Sequence, residues 1–230
     1  MSILKDHNAE LQEMLKHAVH FGHYTNKWNP KMKKYIYTSR KGVHVFDLHK
    51  TLTALDVALT YLRELKTQGK VILFVSTKQQ ATPVLTKIAT ELGAPFVTHK
   101  WIPGLLTNYG TVSKRIGQLK KLRKMKLEGD FDQYTKKEVS KFEKEMQKLD
   151  QSLGGVENLS KVPDCLFVVD VVRDNICVKE ANKMKIPVVG IVDSNADPDN
   201  VNYPIPGNDD AIKSLTYLLG KVAEALTITK

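Results

Sequence analysis

Cysteine is scarce in this chain: 230 residues hold only Cys165 and Cys177, with eleven residues between them. That spacing suits neither a CxxC redox pair nor a zinc knuckle, and it makes a disulfide scaffold an unsuitable reading. Cys165 opens the apolar run CLFVVDV and is expected to be a small buried hydrophobe. No apolar stretch approaches the roughly 18 residues of a membrane span. The opening residues MSILKDHNAELQ are polar, lack the apolar centre of a secretory leader, and carry acids that a transit peptide avoids. Glycine is missing where nucleotide chemistry needs it. TKQQAT follows the apolar run VILFVS (71–76), so the chain has neither a dinucleotide fingerprint nor a P-loop. It also lacks a GxSxG elbow and an HExxH helix. The expectation from these absences is a cytoplasmic protein that is not an enzyme and needs no cofactor.

What is present is a core and an uneven charge. Hydrophobic residues make up 42% of the chain and charged ones 26%, enough apolar material to exclude wholesale disorder. The length fits one large domain, or one domain carrying an insertion. The formal charge is +10, and by region it is +8 over residues 1–104, +5 over 105–153 and −3 over 154–230. Charge that served only solubility would be spread evenly, so this asymmetry points to a surface that faces a polyanion.

The densest basic stretch is YTNKWNPKMKKYIYTSRKGVHVF (24–46), which contains no acid. Lys27, Lys31, Lys33, Lys34, Arg40 and Lys41 alternate there with Tyr24, Trp28, Tyr35 and Tyr37. Cations neutralise phosphates and release counterions, while flat rings stack on unpaired bases. The pairing suits RNA, with the six cations as phosphate contacts and Trp28 and Tyr35 as the packing or stacking rings. Asn29-Pro30 marks a turn, which makes part of the segment irregular and exposed.

Hydrophobic periodicity supplies the scaffold. Residues 8–20 predict an amphipathic helix with Leu11, Met14, Leu15 and Ala18 on one face and Asn8 as its N-cap. Then come a short strand at 43–46, a helix over 51–65 ending at Gly69, a buried strand at 71–76 and a helix over 79–92 ending at Gly93. The alternation resumes with a strand at 165–171, a helix over 175–184, a strand at 187–193 and a closing helix over 208–226 capped by Asn208, Asp209 and Asp210. Repeated βα units predict an α/β fold with a mostly parallel sheet and helices on both faces.

Between the halves, residues 111–127 and 135–153 are highly charged and helical in pattern. Val139, Phe142, Met146, Leu149 and Leu153 fall at the alternating spacing of a heptad seam, and Val112, Ile116, Leu119 and Leu122 form a less regular stripe. With EGDFDQY (128–134) as the turn, the expectation is an antiparallel helical hairpin inserted at 105–153 into a sheet domain made of 1–104 and 154–230. Lys114, Arg115, Lys120, Lys121 and Arg123 would add RNA contacts from it.

Three clusters invite a metal reading. His17, His20 and His23 form HxxHxxH, but Gly22 breaks the helical register before His23 and no further ligand follows at the right spacing. DSNADPD (193–199) resembles a calcium loop, yet Pro198 stands where the sharp turn needs glycine, and position 204 is proline where a bidentate glutamate belongs. Asp170 and Asp193 both end predicted parallel strands, where α/β enzymes place catalytic groups. A small enzyme using that pair around a divalent ion is one rival reading, and a coiled-coil protein adaptor is another. No metal site is assigned from the sequence.

The blocks HFGHYTNKWNPKMKKYIYTSRKGVHVFDLHKT (20–51), ILFVSTKQQA (72–81), WIPGLLTN (101–108), PDCLFVVDV (163–171), KEANKMKIPVVGIVDSNADPD (179–199) and PIPGNDDAIKS (204–214) together resemble the family of the second protein of the small ribosomal subunit, in its bacterial form. Ser76 and Pro103 replace glycines common in that family, and Lys100 replaces an arginine. The resemblance implies a flavodoxin-like sheet domain with an inserted coiled-coil hairpin. It also implies binding to small-subunit rRNA on the solvent side between head and body, and docking of neighbours that include the large mRNA-binding first protein of that subunit.

Overall fold

The computed structural model describes residues 7–227, so the first six of the polar opening residues, and residues 228–230, lie outside the described residues. In chain order the elements are α1 (His7–Lys16), β1 (Phe21–Tyr24), β2 (Ile36–Arg40), β3 (Val43–Phe46), α2 (Leu48–Thr67), β4 (Ile72–Val75), α3 (Thr82–Glu91), β5 (Phe96–Val97), α4 (Tyr109–Glu128), α5 (Lys136–Leu153), β6 (Cys165–Val168), α6 (Asn175–Lys183), β7 (Val188–Val192), β8 (Tyr203–Pro206) and α7 (Ile212–Thr227). Five of the strands form an all-parallel sheet in the order β5-β4-β6-β7-β8. Counted within that sheet the order is 2-1-3-4-5, the doubly wound arrangement of flavodoxin-like folds.

Every residue of β4, β6 and β7 is buried, which explains their unbroken apolar runs: both faces of the sheet are covered. Ile72, Phe74, Cys165, Phe167, Val189 and Ile191 point to one side, where α1, α2, α3 and α7 close a core around Met14, Leu55, Leu59, Leu85 and Leu218. Leu73, Val75, Leu166, Val168, Val188 and Val192 point to the other, against Cys177 and Val178 of α6 and Ile116, Leu119 and Leu153 of α4 and α5. The carboxyl ends of the strands therefore open along one edge, and the polar residues that follow them gather there.

The basic segment folds further than the sequence suggests. β1, β3 and β2 make a second, antiparallel sheet, with Phe21 opposite Val45, Tyr24 opposite Val43 and Arg40 also opposite Val43 on the other flank. Lys41 and Gly42 both have positive φ, 50° and 75°, as a two-residue hairpin turn of the primed kind requires. The turn places the Lys41 cation at the tip. Met32 and Phe46 anchor the sheet in the core, while all of β2 beyond Ile36 is exposed.

Several sequence expectations need correction. α1 stops at Lys16 and Ala18 adopts φ 58°, so Ala18 leaves the helical stripe, Leu15 faces solvent, and Asn8 lies inside the helix rather than capping it. Helix α3 begins at Thr82, because residues 77–81 turn to carry Lys78 inward. Helix α7 begins at Ile212: Asn208 Oδ1 does accept from the Asp210 and Ala211 amides, but Asp209 and Asp210 turn to Lys78 instead of capping. The short strands β5 and β8 escape sequence reading, and in β8 the reason is Pro204 and Pro206, tolerated because β8 is an edge strand.

α4 and α5 follow one another through a turn in which Gly129 has φ 77°, and they pack together. Thr135 and Glu138 form a reciprocal capping box at the start of α5. Of the expected seam on α5 only Leu153 is buried; Val139, Phe142, Met146 and Leu149 are half-covered.

Candidate nucleic-acid interface

The antiparallel sheet is held against the carboxyl edge of the parallel sheet through its backbone. The Asn29 amide donates to the Ser194 carbonyl at 2.7 Å, and the His23 amide donates to Ser194 Oγ at 2.8 Å. A side chain at Gly22 would place its Cβ 2.9 Å from Ser194 Oγ, so this close approach needs glycine. The outer surface of the sheet is thereby fixed relative to the rest of the fold.

On that surface Lys27, Lys33, Lys34, Arg40 and Lys41 are exposed, and none forms an ion pair with a described residue. Lys34 Nζ lies 5.0 Å from the centre of the half-buried Tyr35 ring. Lys31 differs: its Nζ lies 2.8 Å from both Asp197 and Asp199, and these carboxylates raise its pKa. Trp28 rests on His44 with ring centres 5.1 Å apart and is only 37% exposed, a packing position more than a free platform. The open rings are Tyr24, 63% exposed, and Tyr37, 77% exposed. Both belong to the aromatics interleaved with the cations, among which Trp28 and Tyr35 are the expected packing or stacking rings; the structure gives those two packed positions. No periodicity marks 36–40, every residue of which beyond Ile36 is exposed, so the openness of Tyr37 had no sequence signal beyond its place in the basic segment.

On α4 the buried stripe Val112, Ile116, Leu119 and Leu122 turns Lys114 and Lys121, seven residues apart, to the opposite face, with Arg115 and Lys120 exposed at its flanks. Arg123 is set apart from them, half-buried between the carboxylates of Asp150 and Glu157. Of the thirteen sequence-predicted residues, then, nine are exposed cations with no ion pair to a described residue, Lys31 and Arg123 are paired within the fold, and Trp28 and Tyr35 pack.

The carboxyl edge of the parallel sheet carries the opposite kind of charge. Lys78, only 6% exposed, places Nζ 2.7 Å from Asp209, 2.6 Å from Asp210 and 3.2 Å from Asp170. Burial alone would lower its pKa, but the carboxylates outweigh it and raise the value. Asp170 Oδ1 is taken by the Val172 and Arg173 amides, and Asp174 is held by Thr77. Beside them His23 Nδ1 lies 3.0 Å from Asp193 Oδ1, and His23 is raised to about 9, chiefly by Asp193 against the opposing effect of burial. Burial, with Asp193 and Asp170 adding to it, pushes Asp209 up to about 8. Asp170 is thus occupied by Lys78 and backbone donors, while the group that converges is His23, Asp193 and Asp209. The HxxHxxH histidines part company: His17 bonds the Glu13 carbonyl and stacks on Tyr217, and His20 lies against Phe21.

A further carboxylate shapes the neighbouring loop. Glu180 of α6 accepts hydrogen bonds from Trp101 Nε1 at 3.1 Å and from the Gly104, Leu106 and Thr107 amides at 2.8–3.3 Å, fixing the WIPGLLTN segment. No helix among the described residues is long and apolar enough to cross a membrane. Residues 14–228 match the sequence model of the family described as Ribosomal protein S2.

Proposed function

This chain belongs to the ribosomal protein S2 family, a family of structural proteins of the small ribosomal subunit rather than of enzymes, and from that premise we propose that it grips ribosomal RNA through the outer surface of the β1-β3-β2 sheet and the outward face of α4. The observation that carries the reading is the set of exposed cations that form no ion pair with a described residue: Lys27, Lys33, Lys34, Arg40 and Lys41 on and beside the sheet, and Lys114, Arg115, Lys120 and Lys121 on the helix. Such cations gain most by replacing the counterions of a polyphosphate. They position the protein by the shape of the RNA backbone, and Tyr24 and Tyr37 are the rings open to unpaired bases.

In this reading a sheet domain of residues 1–104 and 154–230 carries residues 105–153 as a coiled-coil arm, whose half-covered seam is completed by the subunit around it. The C-terminal third, with its charge of −3, faces neighbouring small-subunit proteins, among them the large mRNA-binding first protein. The place of action is the ribosome of the cytoplasm.

The test is a salt titration of binding to small-subunit rRNA. If about six cations meet phosphate, log affinity falls with log salt with a slope of about −4 to −5. A flat dependence contradicts the proposal.

A further inference from the structure

We propose that the outward face of α5 holds a second stretch of RNA backbone, so that the α4–α5 hairpin is a strut gripped on both sides, with one RNA segment along each helix. The second grip presupposes that the chain binds small-subunit rRNA, and it uses charge that the sequence conceals. Over its 18 residues α5 carries five lysines against Glu138, Glu143, Glu145 and Asp150, a net charge of only +1. The fold sorts those charges onto different sides.

Lys137, Lys141, Lys144 and Lys148 recur at intervals of four, three and four residues, which sets them in one row with neighbouring Cβ atoms about 5–6 Å apart. At 1.5 Å per residue the row is about 16 Å long. Val139, Phe142, Met146, Leu149 and Leu153 keep the same period on the opposite side of the helix, and Met146, Leu149 and Leu153 join the core cluster that holds Ile116 and Leu119 of α4. All four lysines are exposed, and none forms an ion pair with a described residue. The acids are engaged elsewhere: Glu143 pairs with Lys126 of α4 at 3.0 Å, Asp150 pairs with Arg123, Glu145 accepts from Gln118, and Glu138 closes the capping box with Thr135. Lys141 acts on Glu138 only as the least of the influences that hold that carboxyl below its ordinary pKa.

Both flanks of the α5 seam are tied to α4, through Glu145 on one and through Glu143 and Asp150 on the other, so the lysine row faces away from α4. Lys114 and Lys121 in turn lie opposite the buried stripe of α4. One RNA backbone cannot follow both rows. The chemistry of the α5 row selects polyphosphate over protein: protein interfaces are depleted in lysine and anchored by aromatics, methionine and arginine, whereas this face has only Ser140, Gln147 and Gln151 beside its lysines. Ammonium groups in a row, without rings or a guanidinium fork, neutralise backbone phosphates and read no base. The root of the hairpin is braced to carry such a load, since Arg123 joins α4 to Asp150 and Glu157, and the Tyr109 hydroxyl donates to the Leu159 carbonyl.

The experiment uses the full chain and small-subunit rRNA. Cys165 and Cys177 are buried, so a cysteine introduced on the surface is the site that takes an iron chelate. Ser140→Cys puts the chelate on the outward face of α5, and Gly117→Cys puts it on α4, where an added Cβ meets nothing within 4 Å. Hydroxyl radicals from the chelate are expected to cut the rRNA from both sites, in two segments that do not overlap. Cuts from Gly117→Cys alone, or one segment cut from both sites, overturn the second grip and leave binding by α4 standing; cuts from neither overturn both. Affinity is an independent readout. Changing Lys141, Lys144 and Lys148 together to glutamine is expected to weaken rRNA binding about 10- to 100-fold and to flatten the salt slope by about 2–3, with an unchanged melting midpoint, while the matching arginine variant retains both affinity and slope. Unaltered affinity and slope in the glutamine variant, the result expected if an acidic protein covers the row, overturn the proposal. Should that variant fail to fold, the cleavage pattern decides.

Discussion

Lys33 and Lys34 are exposed beside the antiparallel sheet and form no ion pair with a described residue, whereas Lys78, at the carboxyl edge of the parallel sheet, is enclosed by Asp170, Asp209 and Asp210. Both regions are rich in charge, and they use it in opposite ways. A buried ion has lost its water and must be repaid within the fold, so its partners are fixed by the sheet topology. An exposed cation keeps its water and is free to exchange small counterions for a polyanion. Net charge cannot separate the two cases. Partnership does, and it also separates Lys31 from Lys33 two residues away.

The comparison breaks most visibly at Lys78. Lys78→Met leaves three carboxylates around an apolar side chain, and removing one partner of a buried pair costs about 3–5 kcal/mol. Urea unfolding of the variant is expected to show that loss, while RNA affinity per folded molecule stays the same. A variant that keeps its stability but loses RNA would move Lys78 to the other side of the comparison.

Glu180 tests the same principle with the sign of the charge reversed. Replacing it by alanine strips the Trp101 indole and the Gly104, Leu106 and Thr107 amides of their acceptor, at a cost of about 2–3 kcal/mol. Burial raises the Glu180 carboxyl, but these donors outweigh it and hold the folded pKa below the ordinary value. A group depressed in this way gives its full stability above the ordinary carboxylate pKa of about 4.3 and loses it as pH falls through the lower folded value. The gap between the unaltered chain and Glu180→Ala is therefore expected to be constant near neutrality and to shrink in acid below that point. A gap independent of pH down to unfolding would mean that shape, not charge, holds the loop.

On the exposed side the effects move from stability to binding. Charge reversal of Lys33 and Lys34 to glutamate is expected to lower rRNA affinity by about 10- to 100-fold and to flatten the salt slope by roughly 1.5–2. The melting midpoint should barely change, since surface substitutions of this kind stay within about 0.5 kcal/mol. If the melt collapses instead, those lysines serve the fold.

The fold class was legible from the sequence because strands buried on both faces leave continuous apolar runs, as VILFVS and CLFVVDV do. The antiparallel sheet was not. Residues 36–40 expose both faces, so no alternation marks them, and only the pairing of β2 with β3 makes them a strand. Charge asymmetry pointed to the basic segment, but which cations stay unpaired depends on contacts made across more than 160 positions, such as Lys31 with Asp197. The same distance hid the convergence of His23 with Asp193 and Asp209. Lys78 was hidden for a further reason: TKQQAT has no apolar run to mark burial, and only the fold encloses its one charged residue.

Lys31 sharpens the comparison most finely, because it belongs to the basic segment yet is neutralised from within. Its Nζ lies 2.8 Å from Asp197 Oδ2, and Asp197 Oδ1 also accepts from the Asp199 amide. Asp197→Asn keeps an oxygen for that amide and removes one negative charge beside the lysine. If the sheet surface faces RNA, rRNA affinity is expected to rise about two- to fourfold at 0.1 M salt, because Lys31 then keeps Asp199 as its one carboxylate partner, and an exposed ion pair worth under about 1 kcal/mol yields readily to phosphate. The gain should vanish in the double variant with Lys31→Ala, which removes that cation. An unchanged affinity would put Lys31 outside the RNA footprint. A fall would show that the two aspartates aim the lysine at its phosphate, and the division between internally paired and RNA-facing cations would then have to be drawn by geometry as well as by charge.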